Sequence, residues 1–311
     1  MWNELKSPFL ILAPMESVTD LVFRQVILKA GRPDVFFTEF TNVSSYASEK
    51  GRDNALERLE IGPGENPIVA QIWGKNPEHF AKTASALEGL GFDGLDINMG
   101  CPDKHVNKAG GGAAMIKTPE LAVECIKRAK DNTSLPVSVK TRLGFTYLEE
   151  YQTWLSILLE QNLAALTVHL RTRKEMSKVP AHYELIPEII KLRDEIAPGT
   201  KLIINGDIKN KAHAQELKAK YPGVDGFMIG RGVFDNPYCF TNHEPTTGEL
   251  KGLFLYHLSL YDKSSRLPYE TLKHFFKVYF HGQPGSAELR NTLMGAKSTS
   301  ELREIIQTYF A

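Results

Sequence analysis

Short aliphatic and β-branched runs recur along the first 240 residues, and each is followed by a stretch in which apolar positions return at helical spacing. Eight such runs, at 9–13, 35–38, 67–72, 94–98, 137–141, 165–168, 201–205 and 226–229, have the length and residue types of buried strands. The clearest helix lies at 118–130. Thr118 stands where a cap belongs, Pro119 suits the first turn, and Leu121, Ala122, Cys125, Ile126 and Ala129 form one apolar stripe. Tyr151, Trp154, Leu155, Leu158 and Leu159 make a second stripe; Ile186, Ile189, Ile190 and Arg193 make a third, which Pro198-Gly199 closes. Eight strand–helix repeats of roughly 30 residues predict a (β/α)₈ barrel of the TIM type, since that architecture takes about 250 residues. A doubly wound open sheet is the alternative, and it ordinarily has fewer strands.

After Pro237 the pattern changes. Residues 253–258, 272–280 and 302–310 read as helical with no strand between them, so the expected organisation is a barrel over 1–240 and a small all-α domain over 241–311. Phe275 and Phe276 sit in an apolar stripe and read as core, not as a surface for stacking bases.

Composition bounds the function. With 311 residues and 42% apolar content the chain can bury a full core. No apolar run approaches the roughly 18 residues of a membrane helix, and 8–12 is too short and poorly flanked for a signal peptide, so a soluble cytoplasmic protein is expected. Cys101, Cys125 and Cys239 are odd in number and far apart, which suits reduced thiols better than a disulfide framework or a paired metal motif. Lys+Arg and Asp+Glu are equal at 37 each, so bulk charge gives no support for a nucleic-acid partner and any basic face must be local. Residues 251–311 carry eight Lys/Arg against five Asp/Glu and are mildly basic.

The chemistry-bearing residues fall just past the expected strands, where a parallel barrel keeps its active site. The run Asp96-Ile97-Asn98-Met99-Gly100-Cys101-Pro102 displays a lone thiol at the end of strand four, because Gly100 and Pro102 prevent strand or helix from continuing through it. Cys125 and Cys239 read as small core residues instead. An ordinary thiol is mostly protonated at neutral pH and can donate a proton as readily as a thiolate can attack. Cys101 with His105 lacks a second ligand pair, which argues against zinc. Pro14 and Met15 after strand one could let a flat ring lie against backbone, although alone they read as a turn. Gln71 can both donate and accept at the edge of an imide-like ring, or be a satisfied buried amide. Alternation sends Lys140 inward, where an ammonium needs an anion or an electron-rich ligand. His169, Arg171 and Arg173 make the next strand end cationic as well. Strands seven and eight end in Asn205-Gly206-Asp207 and Gly230-Arg231-Gly232, the two barrel loops that commonly hold a phosphate, with a helix N-terminus expected behind them.

In order, APMESVTD (13–20), DINMGCP (96–102), VKTRLG (139–144), VHLRTR (168–173), INGDI (204–208) and IGRG (229–232) closely resemble the tRNA-dihydrouridine synthase family, over most of residues 9–240. The resemblance implies an FMN-binding (β/α)₈ barrel followed by a small helical, tRNA-binding domain. The implied activity is reduction of particular uridines in tRNA to 5,6-dihydrouridine, with FMN as hydride carrier, Cys101 as proton donor and NADPH or NADH as reductant. It implies Pro14, Met15, Gln71, Lys140 and His169 against the flavin and Asn205, Gly206, Asp207, Gly230 and Arg231 around the FMN phosphate. Asn98 and Arg142 are implied to touch the uracil, and Arg171 and Arg173 the RNA or the pocket rim. Partners are then tRNA and NAD(P)H, with no membrane, and the protein is expected to act as a monomer. Lys104, His105, Lys108, Arg171, Arg173, Lys174 and Lys178 could supply a basic rim.

Two other functions fit parts of this pattern. An FMN barrel acting on a free pyrimidine such as dihydroorotate would share the phosphate loops and the lysine, but has no need of the DINMGCP string or the extra helices. A tRNA-binding protein without catalysis would have no need to combine Cys101, Lys140 and the glycine loops.

Overall fold

The computed structural model describes residues 1–263, 268–282 and 284–310. Its eight parallel strands are β1 (Phe9–Leu12), β2 (Phe36–Asn42), β3 (Ile68–Trp73), β4 (Gly94–Met99), β5 (Val137–Arg142), β6 (Ala165–His169), β7 (Lys201–Asn205) and β8 (Gly226–Ile229). Their order is β1-β8-β7-β6-β5-β4-β3-β2, and Ile11 of β1 bridges to Val35, the residue just before β2, so the sheet curls round toward closure. All eight expected strands are present. β2 runs four residues past its expected end, because a bulge between Phe37 and Phe40 lets it carry an extra residue against β3 and bring Phe40 opposite Gln71.

Period-two alternation sorts each strand between two environments. Leu95, Ile97, Val137, Val139, Leu166, Val168, Leu202, Ile204, Phe227 and Ile229 face the surrounding helices and are fully buried. Each such side chain contributes roughly 1.5–3 kcal/mol. The opposite set fills the barrel interior in layers. Phe9, Ile11, Val35, Phe37, Val69, Ala165, Ile203 and Met228, closed from below by Trp2, make an apolar floor. Above it the inward positions turn polar: Gln71, Asp96, Ser138 and Thr167 are buried, and Asn98, Lys140 and His169 lie two residues further along their strands. The register sets Gln71 level with Asp96 and Ser138, Asn98 level with Lys140 and Thr167, and Arg142 level with His169.

The helix Pro119–Lys130 has Pro119 in its first turn and buries Ala122, Cys125, Ile126 and Ala129 as expected, while Thr118 at its start makes no side-chain cap. Beyond β8 come the helices Thr247–Lys263, Ser286–Gly295 and Thr299–Tyr309, with a helical segment from Tyr269 to Tyr279 between the first two. Phe275 stacks on Phe23 of the first barrel helix at 4.6 Å, and Phe254 meets Phe276, Tyr279 and Phe280. Phe275 and Phe276 are therefore core. Among the described residues no helix is long and apolar enough to cross a membrane.

Candidate active site

Cys101 leaves β4 at the carboxyl end of the barrel in a loop fixed from both sides. Asn98 Oδ1 accepts from the N–H of Gly100 at 3.1 Å and of Cys101 at 2.9 Å, an Asx-type turn that lifts the thiol off the strand. The Cys101 carbonyl accepts from Asn107 Nδ2 at 2.8 Å and from Ala113 N at 3.1 Å. Gly112 lies behind it at φ 57°, where a Cβ would stand 2.8 Å from the Cys101 carbonyl oxygen and 2.8 Å from Val106. Only glycine fits there. Burial pushes the thiol above its ordinary range, more strongly than Lys140 and Arg142 pull it down, so Cys101 is a neutral S–H at physiological pH.

A directed chain of hydrogen bonds runs beneath the thiol. Ser138 Oγ donates to Asp96 Oδ1 at 2.6 Å and Gln71 Nε2 donates to Asp96 Oδ2 at 2.7 Å. Asn98 Nδ2 then donates to Gln71 Oε1 at 2.9 Å. An ionised carboxylate accepts only, so Asp96 determines which way both amides point. One N–H of Asn98 and one of Gln71 make no hydrogen bond among the described residues, and Gln71 is fully buried. Asp96 is pushed up to about 6 by burial, against the pull of Ser138, Gln71 and Lys140. Sequence reasoning missed Asp96 and Ser138; the available signal was that Asp96 precedes Asn98 by two on the same strand and so shares its face.

Lys140 is half-buried in the barrel mouth, and its ammonium has no hydrogen-bond or ion-pair partner among the described residues. Burial lowers it to about 8, assisted by Arg142, with Asp96 and Cys101 opposing. Arg142, 6% exposed, has Nε and Nη1 engaged: Nε donates to the Gly100 carbonyl at 2.7 Å, and Nη1 to the carbonyls of Thr172 and Met176 at 3.1 and 3.0 Å. It ties the Cys101 loop to the loop after β6. His169 is held well below its usual range by burial and by Arg142, Lys140, Arg171 and Arg231, so it is a neutral imidazole.

The loops after β7 and β8 face each other across a carboxylate. Asp207 accepts from Arg231 Nη2 at 2.9 Å through Oδ1 and pairs with Arg171 through Oδ2. Arg171 is also bonded to the Val179 carbonyl at 2.6 Å and is 2% exposed, which places it beneath the rim and not on it. Gly206 and Asp207 take positive φ of 118° and 53°, and the N–H groups of Gly206, Asp207, Gly230 and Arg231 have no partner among the described residues. Four free backbone donors beside a half-engaged, exposed arginine form an anion cradle. The helix behind them, Gly232–Asp235, has only four residues, so the cradle rests on the loops and not on the expected helix terminus. Asn205 is fixed by its Nδ2 bond to the Met228 carbonyl at 2.8 Å. Pro14 is buried, and Met15 is locked by reciprocal bonds with Thr19.

A cavity of about 540 Å³ opens beside Cys101, with Phe40, Trp73, Asn54, Arg58 and Glu16 among its walls. Cys101 is the one sequence-predicted site residue that lines it. Arg58 reaches from the helical segment after β2 to pair with Glu16 at 2.7 Å and approaches Glu39 at 3.7 Å; burial pushes Glu39 up to about 7. Nothing local in the sequence marks Arg58 or Glu39, whose relation depends on how the β2 segment folds back over the mouth.

The Dihydrouridine synthase family model matches residues 11–310. The chain belongs to the dihydrouridine synthase family. It is 52% identical to the probable tRNA-dihydrouridine synthase 2 of Bacillus subtilis strain 168, over 99% of this chain and 96% of that protein. It is 50% identical to the probable tRNA-dihydrouridine synthase of Staphylococcus aureus strain Mu50, over 100% of this chain and 95% of that protein. In fold it is similar to morphinone reductase, solved in complex with tetrahydroNAD, with TM-score 0.51 and 16% identity over 76% of this chain and 87% of that one. It is also similar in fold to 2-naphthoyl-CoA reductase, with TM-score 0.55 and 11% identity over 76% and 51%. The family is named for the synthesis of dihydrouridine.

Proposed function

We infer that this family member reduces uridine in tRNA to 5,6-dihydrouridine with FMN as cofactor and NADPH or NADH as reductant. The carrying observation is that a neutral thiol and an unpartnered ammonium stand at the ends of adjacent strands on one open mouth. The residues fit a flavin mononucleotide. The cradle at 206–207 and 230–231 presents four free N–H donors to a phosphate, with Arg231 adding charge. The Asp207 carboxylate would repel a phosphate directly, so its part is to hold Arg231 in place and to offer its N–H. In this reading Lys140 would meet the pyrimidine edge of the ring with the buried Gln71 behind it, His169 would pack as a neutral imidazole, and Pro14 and Met15 would offer a flat backbone edge.

A bound flavin supplies hydride to the ring. The chain's own residues do the rest. Addition of hydride at carbon 6 of uracil places negative charge on the carbon 5–carbonyl system, and Asn98, with one N–H free, is positioned by Asp96 and Gln71 to donate to a uracil carbonyl. Cys101 delivers its proton to carbon 5. Its raised titration range keeps that proton on sulfur until the acceptor is present. Arg142 holds the loop that carries the thiol, and Lys140 supports negative charge in the mouth.

A uridine must leave its stack to enter, which costs a few kcal/mol and less in a loop than in a duplex. We assign residues 241–311 to gripping the tRNA, together with exposed cations at Lys104, His105, Lys108, Lys174 and Lys178. We assign the protein to the cytoplasm, as its proposed tRNA substrate and three free thiols favour, and take it to act as a monomer. Purified full-length protein should be yellow with bound FMN, bleach anaerobically with NADPH, and restore dihydrouridine to tRNA from cells lacking it. A colourless protein that refuses FMN would sink the cofactor assignment, and an unchanged dihydrouridine map the substrate assignment.

A further inference from the structure

Tyr147 stands in the loop after β5 and is 66% exposed, the most exposed large hydrophobic side chain among the described residues. A single exposed aromatic ordinarily means nothing. Here its backbone is fixed: the Glu150 carboxylate accepts from the N–H groups of Phe145 at 2.6 Å, Thr146 at 3.2 Å and Tyr147 at 2.9 Å. The same loop is zipped to the loop after β6, with Arg173 N bonding the Gly144 carbonyl at 2.8 Å and Lys174 N the Phe145 carbonyl at 2.9 Å. The result is a rigid ridge that carries a large ring into solvent.

Cations are arranged around that ridge. Phe145 lies between Lys117, whose Nζ is 4.5 Å from the ring centroid, and Arg173, whose Cζ is 5.4 Å from it. Lys174 Nζ stands 5.9 Å from the centroid of Tyr147. None of the three has an ion-pair partner among the described residues, and the Nε of Arg173 is buried with no hydrogen bond at all. Two of the nearby carboxylates are engaged elsewhere, Glu150 on backbone N–H groups and Glu175 on Thr172 and His182, while Glu149 at the start of the next helix is exposed. Three cations without ion-pair partners among the described residues thus stand beside the rings of Phe145 and Tyr147.

The ridge belongs to the mouth. Arg142 bonds both the Gly100 carbonyl, next to the thiol, and the carbonyls of Thr172 and Met176, so one guanidinium separates the Cys101 loop from the foot of the ridge.

Resting on the reading of this chain as a tRNA-reducing enzyme, we propose that Lys117, Phe145, Tyr147, Arg173 and Lys174 form a docking ridge on the barrel itself for tRNA nucleotides flanking the reduced uridine. The face of Tyr147 stacks on one base, and Lys117, Arg173 and Lys174 meet the phosphates on either side. Stacking on a pre-ordered ring tolerates any base, because every base has a π face. The ridge therefore holds the strand beside the target without choosing its sequence. Holding the neighbours unstacked keeps the target nucleotide out of its own stack.

The test is tRNA affinity as a function of salt, measured with an unmodified full-length transcript and the flavin-loaded protein. Flavin content and melting temperature report whether each variant folds. Tyr147→Ala should bind about tenfold more weakly with an unchanged salt slope, and Tyr147→Phe should bind within twofold of wild type. Lys117→Gln with Lys174→Gln should lower the slope of log K against log[salt] by about one to two, since each lost phosphate contact removes about 0.7–0.9. Tyr147→Ala binding within twofold of wild type, or the double variant keeping the full slope, would overturn the ridge while leaving the enzymatic reading intact. A wild-type protein that neither binds nor reduces tRNA would overturn both.

Discussion

Lys140 gives the sharpest physical test of the site, because an unpaired ammonium in the barrel mouth is a feature that protein stability alone would remove. Its titration is lowered from the usual lysine value of 10.5 to about 8, chiefly by burial. A shift of that size disfavours the charged form by on the order of 3 kcal/mol, and its partial opening to solvent reduces this to about 2–3 kcal/mol. The sign follows from linkage. Below about pH 8 the folded and unfolded chains both carry the charge, so the folded state bears the full penalty. Between pH 8 and 10.5 the unfolded chain binds a proton that the folded chain has released, so stability rises with pH. Replacing Lys140 by Met keeps the length of the side chain and removes the charge. Flavin-free Lys140→Met should melt about 3–5 °C above flavin-free wild type at pH 7, given the unfolding entropy of a chain this long. The gain should fade as the pH approaches 10.5. The same variant should bind FMN more weakly and lose most turnover. A melting temperature equal to wild type at pH 7, or a gain that does not shrink with rising pH, would refute the claim that burial of this charge is held in place for a ligand.

Three further outcomes follow from the site. Cys101→Ala should retain flavin and lose most tRNA reduction, and the wild-type thiol should react with iodoacetamide at pH 8 more slowly than a free cysteine, because burial keeps it protonated; ready alkylation would remove the case for a neutral acid. Asp96→Asn should lower turnover while tRNA affinity stays near wild type, and it should abolish an acidic limb near pH 6 in the wild-type rate profile, where protonation of Asp96 gives it a donor that competes with Gln71; a limb surviving in the variant assigns it to another group. Gly112→Ala should cost more than about 1 kcal/mol in urea unfolding, since it combines a positive φ with a Cβ pressed on the Cys101 carbonyl and Val106; an unchanged midpoint would show that the loop moves freely.

Much of the protein was legible before any coordinates. The eight strands announce themselves because a parallel barrel strand is buried on both faces, and its apolar runs are bounded by helices with their own period. Cys101, Lys140, Asn98 and the two glycine loops were readable for a related reason, since glycine, proline and inward-facing polar residues at strand ends have few structural uses. The family resemblance sharpened this reading to a reaction. The small C-terminal helices followed from the loss of strand signals after Pro237.

Partnerships between segments far apart in the chain were decided only by the folded state. Glu39 and Arg58 are drawn together by the fold-back after β2, and Arg171 sinks beneath the rim because Asp207, 36 residues later, turns back to meet it. Arg142 reads as a pocket cation in one dimension and becomes a clamp on three backbone carbonyls in three. Sequence periodicity specifies which face a side chain takes, since that is fixed by the geometry of its own strand or helix. What waits on that face is set by closure of the barrel and by loops whose paths depend on one another, and no local pattern carries that information.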